Sequence, residues 1–441
     1  MISIKSLLKR IIPQPIFQLY HFCLAFLGAL IYRFPSRKMV VIGITGTKGK
    51  TTTANLVAQI LEVAGFKVGL ATTVNFQIGQ EKWLNTTKQT MLGRFRLQKI
   101  LRQMANQHCQ YAIVETSSEG ILQYRHKFID YDIGIFTNLT PEHIEHHGSF
   151  EKYRQAKMKL FQKIAQKKNG VGIFNLDSDQ VNFFLQPKIK NRLGFGLKPH
   201  PEIDFPKFIP EKYSLSAEKT IFALNQKEFS TQLIGQFNLY NILASIALAR
   251  SQNIDWPIIQ KAVSHFISPP GRLEKITAKN KQGENFLVII DYAHEPNSLE
   301  NIYQTAHLFH PQKIIAVLGS QGGGRDKAKR PKLGKLADQY VDYIILTNED
   351  PYNENPQQII NDITQGIKNK SIKKIIDRQE AIIQALNSAH QNDLVIITGK
   401  GGETSMCIGN QKIPWSDHKI VQEWIKNNSK IKTDKKLTAD S

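Results

Sequence analysis

The sequence predicts an α/β protein with two successive, mostly parallel sheets covered by helices. Three observations carry this. From Met39 to about Gly196, short apolar runs alternate with helix-like stretches, the pattern of a parallel sheet with helices on its faces. A second alternating series follows Ser268-Pro269-Pro270-Gly271, where the chain turns sharply. The length of 441 residues exceeds one typical core and fits two or three domains.

Composition narrows the class. Apolar content of 41% and charged content of 22% fit a folded soluble chain rather than a disordered one. The net charge of +21 favours anionic partners. The lysines are spread along the chain, with neither a helix-turn-helix pattern nor paired cysteines for zinc. A basic proteome or a phosphate-rich small substrate accounts for the charge as well as nucleic acid does, and no nucleic-acid partner is expected. Cys23, Cys109 and Cys407 are too scattered for a disulfide framework or metal knuckle, so a reducing, cytoplasmic compartment is expected.

The elements follow in order. Ile16 to Tyr32 is apolar apart from Gln18 and His21, with Lys5, Lys9 and Arg10 before it and Arg33, Arg37 and Lys38 after it. Such a stretch, about 17 residues, is at the short limit for spanning a bilayer, and no small-residue cleavage site follows. Two readings stay open: a helix on the anionic inner face of a membrane, or one packed on the next domain. Strands are expected at Val40–Thr45, Tyr111–Glu115, Ile133–Thr137 and Val171–Asn175, and helices at Thr52–Ala64, Arg96–Asn106 and Phe150–Gln166. Residues from Pro199 to Gln232 suggest an antiparallel extension, and Asn238–Gln252 a helix. Past the boundary, strands are expected at Phe286–Asp291, Lys313–Gly319, Tyr343–Thr347 and Leu394–Thr398. From about Asn427 the tail is polar and lysine-rich, and disorder is expected. The domains then run 1–38, 39–268, 269–426 and 427–441.

Gly43-Ile44-Thr45-Gly46-Thr47-Lys48-Gly49-Lys50-Thr51-Thr52-Thr53 joins the first strand to the first helix. Glycines let backbone N–H groups approach a polyphosphate, and the helix start adds its positive end. A lysine reaches the terminal phosphates and a threonine hydroxyl ligates Mg²⁺. The spacing is tighter than the common P-loop, since Ile44 stands five positions before Gly49. ATP is the expected ligand.

Other candidates lie at strand ends, where open α/β sheets bind ligands. Glu115 ends a strand and can hold Mg²⁺ directly or through water. Thr137 to Gly148 offers Glu142, His143, Glu145, His146 and His147, without the spacing of a zinc motif; His143 beside a magnesium–phosphate site is the preferred reading. Asp291-Tyr292-Ala293-His294, Gly322-Gly323-Gly324-Arg325 and Gly399-Lys400-Gly401-Gly402-Glu403 end strands of the last domain.

Together these segments resemble the Mur ligases, most closely the MurE-type UDP-N-acetylmuramyl-tripeptide synthetases. The motifs run in the family's order from Gly43 to about Glu403. They include Glu115-Thr116-Ser117-Ser118-Glu119-Gly120, Thr137-Asn138-Leu139 with His143, Phe237-Asn238-Leu239-Tyr240-Asn241 and Pro270-Gly271-Arg272-Leu273-Glu274. The resemblance implies a central P-loop ATPase domain with a mostly parallel sheet and a C-terminal Rossmann-like α/β domain. It implies ATP and Mg²⁺ as cofactors and an amide ligase of peptidoglycan assembly. A muramyl-peptide carboxylate would be activated as an acyl phosphate and then attacked by an amino acid's amine.

Residue by residue, the resemblance places ATP on Gly46, Thr47, Lys48, Gly49, Lys50, Thr51, Thr52, Asn238, Asn241, Arg272 and Asp291. It places Mg²⁺ on Thr51, Glu115, His143 and Lys157, the lysine being carbamylated. Substrate contacts fall on Thr86, Thr87, Ser117, Gln123, Arg125, Arg325, Asp350, Gly399 and Glu403. Lys50, Lys157 and His143 are the implied catalytic residues, and closure of the last domain would bring Arg272 and Asp291 towards the nucleotide.

There are departures from the family pattern. Some 38 residues with an apolar helix stand where the uridine-binding N-terminal domain is usual. A lipid-linked acceptor, or a partner that supplies that domain, is therefore also open. Glu142 stands for Asp, and Glu119 for His. Glu349-Asp350-Pro351-Tyr352 replaces the Asp-Asn-Pro-Arg of enzymes that add diaminopimelate. Tyrosine cannot make arginine's bidentate ion pair with a carboxylate, and two acids suit a side-chain ammonium. Lysine or a similar diamine is expected. The alternatives are a ligase for a glutamyl or polyamide chain, and a non-catalytic, membrane-associated ATP-binding scaffold.

Overall fold

The computed structural model describes residues 14–142 and 147–437, with side chains over 16–142 and 147–428. Two compact units are present. The first comprises residues up to 213 with 221–231 and 238–266; the second comprises 214–220, 232–237 and the chain from 267 onward.

The first unit is built on strands β1 (Val40–Thr45), β2 (Val68–Ala71), β3 (Asn75–Ile78), β4 (Glu81–Leu84), β5 (Tyr111–Glu115), β6 (Tyr131–Phe136), β7 (Val171–Asn175), β8 (Asn191–Phe195) and β9 (Lys207–Phe208). Their order is β4-β3-β2-β5-β1-β6-β7-β8-β9. All neighbours are parallel except the pairs β2–β3 and β3–β4. β1 thus lies between β5 and β6, where the winding reverses, and such a switch point opens a crevice at the strands' carboxyl ends. Near-continuous apolar runs fit strands buried on both faces; Val41, Ile42 and Ile44 are fully buried.

Helices α1 (Gln14–Ile31), α2 (Lys50–Val63), α3 (Arg94–Asn106), α4 (Ser118–Leu122), α5 (Phe150–Ile164) and α6 (Gln236–Ser251) accompany this sheet in sequence. α5 buries Tyr153, Ala156, Lys157, Leu160, Phe161 and Ile164, a stripe at three- and four-residue spacing. Phe161 packs with Phe136, Phe174 and Phe184 beneath it. α6 is buried without interruption from Asn241 to Ala249, so its sequence is apolar all round. β6 starts at Tyr131, two residues before the expected Ile133, because Tyr131 pairs with Val41. It ends at Phe136 because Thr137 is engaged elsewhere: its hydroxyl donates to the Lys48 carbonyl at 2.7 Å.

β10 (Lys212–Leu215), β11 (Thr220–Leu224) and β12 (Lys227–Thr231) form a three-stranded sheet. In the second unit β13 (Glu274–Lys279), β14 (Asn285–Asp291), β15 (Ile314–Leu318), β16 (Tyr343–Leu346), β17 (Ser371–Lys374) and β18 (Leu394–Thr398) stand in the order β13-β14-β18-β15-β16-β17. Only β13 is antiparallel to its neighbour. Insertion of β18 between β14 and β15 brings the loops after β14, β15, β16 and β18 to one edge. β19 (Ser405–Ile408) and β20 (Gln411–Pro414) make a hairpin, and helix α7 (Asp417–Leu437) closes the described chain. α7 runs on past Asn427, where composition predicts disorder; lysine is a good helix former. Residues 438–441 lie outside the described residues. Among the described residues no helix is long and apolar enough to cross a membrane.

A buried ion pair ties this unit together. Arg378 meets both carboxylate oxygens of Asp417, at 3.0 and 2.7 Å, and also donates to the carbonyls of Thr398 and Asn348. The Trp415 indole donates to the same carboxylate. Neither partner is exposed, and an uncompensated charge there is costly. Asp417→Asn should therefore cost about 3–5 kcal/mol in urea unfolding, whereas Arg378→Met/Asp417→Leu should recover most of that loss.

Candidate functional site

The glycine-rich turn after β1 is held where no side chain fits. Gly46 has φ +150, and a Cβ there would lie 1.9 Å from the Thr137 hydroxyl; Gly49 has φ +84, and a Cβ would lie 2.2 Å from the Asn241 side-chain oxygen. Asn138 and Thr137 clamp the turn from β6's end. The Lys48 amide donates to Asn138 Oδ1 at 2.9 Å, and the Thr47 amide donates to the Asn138 carbonyl at 2.9 Å. Gly49 caps α2 from the left-handed region, so α2 begins at Lys50 rather than the expected Thr52. Lys50 Nζ folds back on the carbonyls of Gly46 (3.1 Å) and Thr47 (2.9 Å). Lys48 pairs with Glu142 at 3.0 Å. The glycine turn, the start of α2 and two lysines converge here, the elements of a polyphosphate site.

Beside the turn, Thr51 Oγ1 donates to Glu115 Oε2 at 3.0 Å. Thr73 donates to the same carboxylate from its amide (2.9 Å) and its hydroxyl (3.0 Å). A hydroxyl in the first turn of α2 and a carboxylate at the end of β5 are hard oxygen ligands suited to magnesium. Lys157, fully buried on α5, donates to the Gly46 carbonyl at 2.8 Å and lies over the Tyr153 ring. Burial pushes its pKa well down, Lys50 adds repulsion, and Glu142 and Glu115 offset this only in part. Its amine is held towards the neutral form.

Asn238 and Asn241 bond to one another at 3.1 Å, and Asn241 Oδ1 accepts from Thr53 at 3.3 Å. Asn241 thus reaches the start of α2 from nearly 190 residues away in sequence. Thr52 is buried within α2. Ser117 caps α4, accepting from the Gly120 amide. Gln123 Oε1 accepts from Arg125 at 2.7 Å, and Arg125 also reaches the Met91 carbonyl. Thr87 bonds to Asn85 at 2.6 Å, shaping the loop that also carries Thr86. His143 lies outside the described residues, as do residues 144–146.

In the second unit, Asp291 accepts from the amides of Leu273 (2.7 Å) and Ala293 (2.8 Å). Arg272 stacks over the Tyr292 ring, 4.4 Å from its centroid. Tyr292 is held neutral by burial and by Glu403, with Arg272 and Arg325 opposing. Asp350 takes both its oxygens to Lys400 Nζ at 2.9 Å and accepts from the Cys407 amide at 2.7 Å; Lys400 also reaches Glu403. Glu349 differs. Its side chain is buried, neither carboxyl oxygen has a hydrogen-bond partner, and Gly399 is glycine because a Cβ would lie 2.5 Å from Glu349 Oε2. Desolvation raises its pKa to about 7 despite Lys329, Arg378 and Lys400, with Asp350 adding to the rise.

Two contributors escaped the sequence reading. Thr73 anchors Glu115 from a loop with no motif of its own. Tyr153 bonds to Thr47 at 3.1 Å and lies under Lys157; its position four residues before Lys157 on one helix was a usable signal.

The raised pKa of Glu349 sets a pH dependence. The native carboxyl keeps its proton to about pH 7, whereas the unfolded one loses it near 4.3. The native state therefore binds more protons between these values, and the contribution to stability falls as pH rises through that window. Glu349→Gln should flatten this segment of the wild-type pH–stability curve in urea unfolding at successive pH values.

A profile of the Mur ligase middle domain matches residues 44–249, and one of the Mur ligase glutamate ligase domain matches residues 271–401. The UDP-N-acetylmuramoyl-L-alanyl-D-glutamate–2,6-diaminopimelate ligase of Syntrophomonas wolfei is 34% identical over 416 residues, covering 92% of this chain and 82% of the relative. The enzyme of the same name from Caldanaerobacter subterraneus is 35% identical over 413 residues, covering 92% and 82%. Loss of an N-terminal domain is not evident from matches of this extent. A solved structure under the same enzyme name superposes with a TM-score of 0.59 at 29% identity, over 89% of this chain and 79% of that one. Mycobacterium tuberculosis folylpolyglutamate synthase, solved with ADP, shares the fold with a TM-score of 0.69 at 15% identity, over 86% and 91%. With both domains matched in order, and relatives above 30% identity over most of their length, the chain belongs to the Mur ligase family.

Proposed function

We propose that this protein is an ATP-dependent carbon–nitrogen ligase that adds a diamino acid to a muramyl-peptide carboxylate in peptidoglycan precursor synthesis. Its cofactors are ATP and magnesium. The observation that carries the reading is the glycine turn at the switch point of the first sheet, with Lys50 and the Thr51–Glu115 pair beside it. In the reaction, a carboxylate oxygen of the peptide attacks the γ-phosphorus of ATP. The bond from that phosphorus to the bridging oxygen breaks and ADP departs. The amino acid's amine then attacks the acyl carbon, loses a proton, and inorganic phosphate leaves.

Each side chain's part follows from its setting. Gly46, Thr47, Lys48 and Gly49 are assigned to the phosphates from the family pattern, and Lys50 would swing from its carbonyls to the γ-phosphate. Thr51 and Glu115 would hold magnesium, which would supply charge neutralisation at the transferring phosphoryl group. Asn238, Asn241, Arg272 and Asp291 are assigned to the nucleotide, and His143 to the metal, from the family pattern. Lys157 is assigned as a carbamate. Support comes from its burial and from Lys50 nearby, which keep the amine neutral, the form that adds to CO2 with loss of a proton. As a carboxylate it would join Glu115 rather than repel the metal.

Thr86, Thr87, Ser117, Gln123 and Arg125 are assigned to the acceptor, carried by UDP or by lipid. Arg325, Asp350, Gly399 and Glu403 are assigned to the amino acid. Tyr352 occupies the place where arginine grips a distal carboxylate, Asp350 is already neutralised by Lys400, and Glu349 is buried without a hydrogen-bond partner. This favours a distal ammonium, and lysine or a similar diamine over diaminopimelate. The domain bounds 39–268 and 269–426 belong to the same reading.

Lys50→Ala should lower amino-acid-dependent phosphate release at least about 100-fold while leaving thermal unfolding nearly unchanged; persistence of turnover would remove the ligase reading. In a panel of amino acids with a muramyl dipeptide acceptor, lysine-type diamines should give the highest kcat/KM, and selective turnover of diaminopimelate would refute that preference. With isotopically labelled bicarbonate, a carbamate NMR signal should appear in the wild type and be missing in Lys157→Ala.

A further inference from the structure

Helix α1 turns its small residues inward and its large ones outward. It has 18 residues and no charge among them. Ala25 and Ala29 are buried, and a Cβ on Gly28 would lie 3.5 Å from the Arg94 carbonyl, so close approach to α3 needs these small groups. On the opposite side Ile16, Leu19, Tyr20, Leu27, Leu30 and Ile31 are 44–61% exposed. A helix that served only the core would bury the large side chains. Large apolar groups left out along one stripe mark a face meant to be covered.

Charge indicates what covers it. Residues 1–38 contain six lysines and arginines and no acid. α3, packed on α1, adds Arg94, Arg96, Lys99 and Arg102, again with no acid. Of these, Arg33, Arg37, Lys38, Arg96 and Lys99 are exposed. Residues 1–38 and α3 thus carry cations and no acid, and an apolar stripe on such a surface complements an anionic bilayer. Length decides the mode of contact. At 1.5 Å per residue α1 is about 27 Å long, short of a hydrocarbon core of about 30 Å, and its inner side is already occupied, so it lies in the interface.

α1 is also rigidly mounted. Phe22 and Phe26 meet the Phe128 ring at 5.3 and 5.4 Å, and Arg102 caps the helix end by donating to the carbonyls of Tyr32 (2.8 Å) and Arg33 (3.0 Å). His21 on α1 contacts Arg94, whose Nε donates to the Gln123 carbonyl at 2.9 Å. The inward side of α1 is thus tied through Arg94 to the segment that carries Gln123.

We propose that α1 and the basic residues of α3 dock this protein on an anionic lipid surface. The docking does not depend on the ligase reading. The full chain should float with vesicles of phosphatidylcholine and phosphatidylglycerol in equal parts, not with phosphatidylcholine alone, and salt should weaken the binding. Arg96→Glu/Lys99→Glu and, separately, Leu19→Gln/Leu30→Gln should each reduce the bound fraction at least about tenfold. Both should leave Tm and Lys50-dependent phosphate release on a soluble acceptor unchanged. Failure to float with the anionic vesicles would overturn the proposal. So would a dimer in solution that Leu19→Gln/Leu30→Gln dissolves, since a second copy would then cover the face.

Discussion

Close approach of backbone to backbone at the turn between β1 and α2 is the constraint on which the first unit depends. Gly46 and Gly49 stand where any Cβ would collide with Thr137 or Asn241. Because those positions are empty of side chain, the ends of β1 and β6 and the start of α6 can converge on one small volume. That convergence fixes the start of α2 and seats Thr51 against Glu115. It also leaves Lys157 pointing into a space with Lys50 for a neighbour. The arrangement costs side-chain freedom and desolvates several charges, and phosphate binding is the use that makes such a cost intelligible.

Two buried ionisable groups show the same physics with opposite sign. Lys157 is driven towards its neutral amine by burial and by a neighbouring cation. Glu349 is driven towards its neutral acid by burial, against nearby cations. Each is a group whose charged form is expensive until something else arrives: for the lysine a second carboxylate function, for the glutamate a cation. Ionisable groups perturbed in this way are where chemistry is expected. The fully matched Arg378–Asp417 pair is the contrast. It satisfies its donors and acceptors internally and acts on structure.

α1 follows a third logic. Within a domain that buries its large apolar side chains, this helix exposes them and buries alanine and glycine. It is fixed by the Phe128 ring and by Arg102, so its outward face is a surface of the folded unit rather than a loose tether.

Much of this was legible in the sequence, because local patterns determine local structure. β1, β5, β7 and β18 have the bounds that apolar runs and flanking turn residues predict. The phosphate turn is readable because glycine spacing, strand before and helix after are all contiguous. The strand-end placement of Asp291, Glu115 and Gly399 follows from the same alternation. What the sequence could not decide are contacts between distant segments. That Thr73 holds Glu115, that Asn241 stands over Gly49, that Lys400 consumes Asp350 and leaves Glu349 alone, and which side of α1 faces out are all set by packing. Such contacts carry no periodicity. They exist only once the sheet order β5-β1-β6 and the insertion of β18 have brought the strand ends together, and burial then fixes which groups keep their charge.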